Sequence, residues 1–251
     1  MPTARPGRAE TWMPIAVAAM LLLLAAATAA QTPAQANAGL QERVAALKES
    51  LAQNQAALRT YTWTEATEIS LDGDVKKREQ KKCQYGPDGK VQKTAIPGAD
   101  QPEEKKQQSG GGRRGGKIVK KAIVENKVED MKEYMEKAAA LVQQYVPPDP
   151  QKIQAAQAAG NVSVQSGTLT IKDYVKPGDK LILGFDLAAK KLRSYQVQSY
   201  VEKPKDDAVT LNVTFASLQD GTNYPQQTVL NVAAKKLGVK MTNSGYAKTG
   251  Q

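Results

Sequence analysis

Beyond Asn161 the chain is a succession of period-two alternations, and that pattern limits its architecture more than any other feature. Val209, Leu211, Val213 and Phe215 alternate with Thr210, Asn212 and Thr214. Leu169, Ile171 and Val175 alternate with Thr170, Lys172 and Tyr174, and Leu181, Leu183 and Phe185 follow the turn signal Pro177-Gly178-Asp179. Tyr195, Val197, Ser199 and Val201 come next; after Asp220-Gly221, Leu230, Val232, Leu237, Val239 and Met241 supply two further strands. Successive strand side chains point to opposite faces, so each segment offers one apolar and one polar face. Short turns between such segments predict antiparallel neighbours.

The first half mixes both periodicities. Leu40, Val44, Leu47, Leu51 and Leu58 form one stripe of a helix over Gly39–Arg59. From Tyr61 the period becomes two, with Tyr61, Trp63, Thr67, Ile69 and Leu71 on one face; Asp72-Gly73 turns the chain. A charged strand over Val75–Tyr85, the turn Pro87-Asp88-Gly89 and a strand near Val91–Ile96 complete a meander expected to have one wet face. The segment 97–117, rich in Gly, Gln, Lys and Glu, has no pattern of a packed element. Val124, Val128, Met131, Met135, Ala138, Val142 and Tyr145 then mark a second helix over Ala122–Tyr145, ended by Pro147-Pro148. Asp149 offers an N-cap, and Pro150 a first-turn residue, for a short helix stopping at Gly160. Helices confined to the N-terminus and one mid-chain insertion give an α+β fold, a large antiparallel sheet covered on one face.

The first thirty residues read as an address. Arg5 and Arg8 precede an uncharged stretch over Met13–Ala30, followed by Gln31-Thr32-Pro33. This is the three-part pattern of a secretory signal peptide, with small residues before Ala30 and Ala36 suiting cleavage. The competing reading is an uncleaved anchor, since the stretch is close to the shortest length that spans a bilayer. Removal predicts a periplasmic or secreted protein made of a linker over 31–38, a single domain over 39–246 and a tail over 247–251. The mature chain would contain Cys83 alone, so no intrachain disulfide closes it, and Cys83 is either a buried small hydrophobe or a reactive thiol.

Composition excludes several chemistries. There is no histidine among the 251 residues, which removes Ser-His-Asp and Cys-His nucleophiles and histidine-ligated metal sites. Asp206-Asp207, Glu103-Glu104 and Asp72-Gly73-Asp74 have the chemistry of ordinary turns or an irregular segment, and the last lacks the ligand positions of a calcium loop. Neither Ser-x-x-Lys nor Gly-x-Ser-x-Gly occurs. The expectation is a protein that is not an enzyme, with no cofactor and no metal. The net charge of +10 is concentrated in Lys76, Lys77, Arg78, Lys81 and Lys82, and in Lys105, Lys106, Arg113, Arg114, Lys117, Lys120 and Lys121. The glycine block between them holds no aromatic residue for base stacking, so no nucleic-acid partner is expected.

Phe185-Asp186 through Val201, the turn Asp220-Gly221-Thr222-Asn223-Tyr224-Pro225 and the stretch Leu237-Gly238-Val239-Lys240-Met241 through Tyr246 resemble strands and a turn of the lipoprotein-carrier family, which sorts outer-membrane lipoproteins. The chain is also similar to exported bacterial proteins that share its Tyr145-Val146-Pro147-Pro148-Asp149-Pro150 and Asp173-Tyr174-Val175-Lys176-Pro177-Gly178-Asp179 elements. The carrier resemblance implies a curved, unclosed half-barrel plugged by helices and an apolar ligand or acyl chain held between them. Trp63, Ile69, Met131, Met135, Leu183, Val197, Val213, Phe215 and Leu230 are then the expected lining, in a monomer. The alternative is a module gripping an anionic envelope surface through the basic strand and Arg113, Arg114, Lys117, Lys120 and Lys121, each cation near such a surface contributing about 1 kcal/mol.

Overall fold

The computed structural model describes residues 49, 52–96 and 131–249. Ten strands form one antiparallel sheet that does not close: β1 (Tyr61–Leu71), β2 (Asp74–Tyr85), β3 (Val91–Ala95), β4 (Val162–Gln165), β5 (Thr168–Lys172), β6 (Lys180–Asp186), β7 (Lys191–Tyr200), β8 (Ala208–Ser217), β9 (Asn223–Val232) and β10 (Leu237–Lys248). Their order across the sheet is β3-β2-β1-β10-β9-β8-β7-β6-β5-β4. Two meanders are therefore joined along one seam, where β1 pairs with β10. Among the described residues, three α-helical segments of more than one residue accompany the sheet: α1 over 52–58, α2 over 131–143 and α3 (Pro150–Ala158). No helix among the described residues is long and apolar enough to cross a membrane.

Local chemistry explains the boundaries. Asp72 and Gly73 both have positive φ, 55° and 87°, the primed turn whose twist suits a two-residue hairpin. Asp149 caps α3 by accepting a hydrogen bond from Gln151 N at 2.8 Å, and Pro150 occupies the first turn, where a missing N–H has no cost. Gly160, at φ 74°, stops α3: its N–H and that of Asn161 turn back onto the carbonyls of Gln157 and Ala156. The strand expected to run through Val175 instead ends at Lys172, because Asp173 takes φ 50° and the following amides turn inward onto Asp179.

The register aligns the apolar positions into rows across the sheet. One runs Ile69, Val239, Leu230, Leu211, Val197, Leu181, Ile171, Val162 from β1 to β4. Most of this row is buried; Ala138, Leu141 and Tyr145 from α2 and its C-terminal turn, with Ile153 and Ala156 of α3, belong to the same core cluster. Leu181, Leu183 and Val209 have no exposed surface at all. Burial of this one continuous face, without any disulfide among the described residues, is the main source of stability.

The parts of the expected helices over 39–59 and 122–145 that precede 52 and 131, residue 49 apart, lie outside the described residues, as do the segment 97–117, the leader and the linker.

Candidate functional site

The nine residues expected to line an apolar space fall into three groups. Leu183, Val197, Val213 and Leu230 are fully buried in the core cluster, at most 2% exposed. Ile69, Met131, Met135 and Phe215 are partly buried and pack against its rim. Trp63 lies elsewhere: it is stacked on Tyr246 with ring centroids 5.6 Å apart and is flanked by Tyr85 at 5.4 Å. Tyr246 in turn contacts Tyr224 at 4.4 Å and Tyr61 at 6.2 Å. The separation is one of distance along β1, where Trp63 lies near the start of the strand and Ile69 near its end; a register shift in the β1–β10 seam falls beside Trp63, between Thr62 and Thr64. The anionic-surface candidates Arg113, Arg114, Lys117, Lys120 and Lys121 lie outside the described residues.

The two segments that carried the second resemblance in the sequence meet in the core. Asp179, 1% exposed, is directly surrounded by donors: Tyr174 N at 2.6 Å, Val175 N at 2.9 Å, Lys176 N at 2.8 Å and the hydroxyl of Tyr145. Tyr145 Oη also lies 2.8 Å from Ser199 Oγ, and the Tyr145 carbonyl accepts the hydroxyl of Tyr195. Asp149 N donates to Tyr174 Oη at 2.6 Å, closing the link from the α3 cap back to the 173–179 loop. Burial, followed by the Asp179 carboxylate, pushes the Tyr145 phenol far above its ordinary range, so it stays a donor at any physiological pH. The arrangement is a clasp: it fixes the C-terminal end of α2 to the sheet with every buried polar group partnered. Sequence reading missed it because a contact between positions 34 residues apart has no local signature; the inward helical register of Tyr145 was its one visible sign.

The first meander departs from the expected single wet face. Glu65, Glu79, Lys81 and Lys93 share the face that carries Trp63 and Ile69. Lys93 donates to both carboxylate oxygens of Glu65, at 2.6 and 2.8 Å, and the two side chains are only 21% and 11% exposed. Lys77 and Lys81 both close on Glu79, the second at 3.1 Å, and hold its carboxyl below the usual range. On the other face Arg78 pairs with Glu68 at 3.1 Å. Much of the charge of β2 is thus matched within the meander.

Cys83 is fully buried on the inner side of β2, and burial together with the Glu65 carboxylate pushes its thiol up to about 11. The buried reading of this residue holds. Because the thiolate is the reactive species, the native protein at pH 8 should leave a disulfide reagent such as Ellman's unreacted, and denaturation in guanidinium should release one thiol per chain. Rapid labelling of the native protein would contradict this burial.

At the far end of the seam, Asp220 accepts the Tyr61 hydroxyl at 2.5 Å and Thr222 N at 3.0 Å, with Lys248 Nζ at 3.4 Å. The Tyr61 hydrogen bond, then that of Thr222, holds its carboxyl well below the ordinary 3.8. A carboxyl depressed by folding stabilises above its unfolded pKa, and that contribution fades as pH falls below it toward the folded value. A carboxyl-carbon NMR titration should place Asp220 well below the ordinary carboxylate value, and Tyr61→Phe should bring its midpoint up toward 3.8. An unmoved midpoint would remove Tyr61 as the cause.

Beside this turn lies a polar cleft of about 230 Å³ whose lining includes Asn54, Lys190, Lys191 and Thr222. Lys191 is already engaged there by Gly221 O at 2.5 Å and Ser217 Oγ at 3.2 Å. No group of three or more acidic or cysteine side chains among the described residues could hold a metal ion. No family model matches the chain, and neither a curated protein nor a solved structure is significantly similar to it.

Proposed function

We propose that the protein is an exported, non-enzymatic binding protein that holds an apolar ligand or lipid acyl chain between the inner face of its open sheet and helix α2. The observation that carries this reading is the graded burial beneath α2. The sheet positions at the centre, Leu183, Val197, Val213 and Leu230, are completely covered, whereas apolar side chains at the rim of the cluster, among them Ile69, Met131, Tyr134, Met135, Phe215 and Met241, are only partly covered.

Methionine has three rotatable bonds and a polarisable sulfur, so Met131, Met135 and Met241 suit a surface that must reshape around a chain. With the centre filled by side chains, this reading sets the ligand at the rim rather than deep against β6 and β7. The signal-peptide pattern of the first thirty residues supports export, and the resemblance of the 185–246 region to lipoprotein carriers agrees with an acyl ligand. The surface-binding alternative finds less support in β2, whose Lys76, Lys77, Arg78 and Lys81 each have an acidic partner.

The test is a titration of the purified, delipidated chain with N-phenyl-1-naphthylamine, a neutral dye that brightens in apolar sites. Saturable brightening, reduced when Met131 and Met135 are both replaced by glutamine, is the expected result. Trp63 emission is a poor substitute, because that ring sits in the separate aromatic cluster. No brightening, with no lipid in organic extracts of the protein as isolated, would overturn the reading.

A further inference from the structure

The inner face of the sheet changes chemistry along its rows. The row that runs apolar from Val162 through Leu230 and Val239 to Ile69 is continued in β2 by Lys77, directly opposite Ile69. The neighbouring row passes from Met241 through Thr67 to Glu79. Directly opposed residues of antiparallel strands share a face and lie about 5 Å apart, so the partly buried rim at Ile69, Leu71 and Met241 adjoins the lysine. Lys77 is 55% exposed while its partner Glu79 is 18% exposed. The ammonium group therefore borders these partly buried apolar positions, held in place by a carboxylate less exposed than itself.

This inference rests on the apolar-ligand reading and adds the class of ligand. We infer that the bound molecule is an anionic amphiphile, its chain lying along the rim at Met241 and Ile69 and its carboxylate or phosphate head meeting Lys77. With Lys77 and Lys81 sharing the single carboxylate of Glu79, a net positive charge stands at the end of an otherwise uncharged row and complements such a molecule in both charge and order. A neutral lipid would leave that excess positive charge unmatched, and a cationic one would be repelled. Lys240, opposite Glu68 on the other face of the same strands, offers a matched control because Met241 and Val239 beside it point inward.

Competition against N-phenyl-1-naphthylamine at low salt tests the inference, using palmitate, hexadecyl phosphate, methyl palmitate and hexadecanol. The two anionic chains should compete about fivefold better than the two neutral ones, the size expected of one partly exposed ion pair. Whichever of palmitate and hexadecyl phosphate shows the larger advantage identifies the head group. The advantage should vanish in Lys77→Gln, reverse in Lys77→Glu and survive in Lys240→Gln, and in the parent chain it should shrink as salt is added. Circular dichroism of each variant confirms that the sheet is intact. Equal competition by acid and ester, or an advantage unchanged in both Lys77 variants, would overturn the head-group assignment while leaving the apolar site standing. Dye binding that none of the four chains displaces would overturn the acyl-chain reading itself.

Discussion

Asp179→Ala is expected to cost about 3–4 kcal/mol of folding stability, because it strands several donors at once and each buried group left unsatisfied costs about 1–3 kcal/mol. The amides of Tyr174, Val175 and Lys176 and the hydroxyl of Tyr145 all point at this one carboxylate. Some of that cost returns as water reaches the half-buried amides of Val175 and Lys176, so the losses will not add. Tyr145→Phe should cost less, about 1–2 kcal/mol, since Asp179 keeps its three backbone donors and the ring still fills its place. Urea unfolding followed by circular dichroism separates the two. A pair of variants within experimental error of the parent chain would mean that the clasp does not fasten α2 to the sheet.

The second large effect is expected at Leu183. This side chain has no exposed surface and sits between Leu169 and Tyr195 in register, so truncation to alanine leaves a cavity that close-packed neighbours fill only in part. Leu183→Ala should lower stability by about 2–5 kcal/mol, whereas Met131→Ala, at the partly covered rim, should cost about 1 kcal/mol or less. This contrast bears on function as well as folding. If Leu183 faced an open hollow, its truncation would cost little; a large loss there and a small one at Met131 would place the adaptable region at the rim. Equal losses at the two positions would contradict that division.

Much of the sheet was legible in the sequence because its signals are local. The alternation of Tyr61, Trp63, Thr67, Ile69 and Leu71 predicted a strand with the bounds that β1 has, and Asp72-Gly73 supplied the backbone angles its hairpin needs. Asp149 and Pro150 likewise announced the start of α3, and the Val209–Phe215 alternation fell within β8. What escaped depended on distant partners. Nothing near Val175 warned that Asp179 would draw three amides away from the sheet, and nothing near Tyr145 named Asp179 as its acceptor. The charged residues on the inner face of β1 and β2 contradicted a simple inside-outside rule, since Glu65 and Lys93 neutralise one another only after three strands have paired. Trp63 satisfied the apolar pattern, yet it lies at the opposite end of β1 from Ile69 and packs in a different cluster. The candidate lining was thus readable as apolar and inward facing, while its division into a buried centre and a partly buried rim emerged only from the packed sheet.

On the proposed reading an acyl chain lies against the partly buried apolar side chains at the rim of the sheet's inner face. Photo-crosslinking of the delipidated chain with a diazirine-bearing palmitate, followed by mass spectrometry of its peptides, measures this directly. The account predicts adducts concentrated at Ile69, Met131, Met135, Phe215 and Met241, suppressed by excess unlabelled palmitate. Adducts no more frequent there than at Thr170, Gln196 and Asn212 on the opposite face, or adducts indifferent to the competitor, would contradict it.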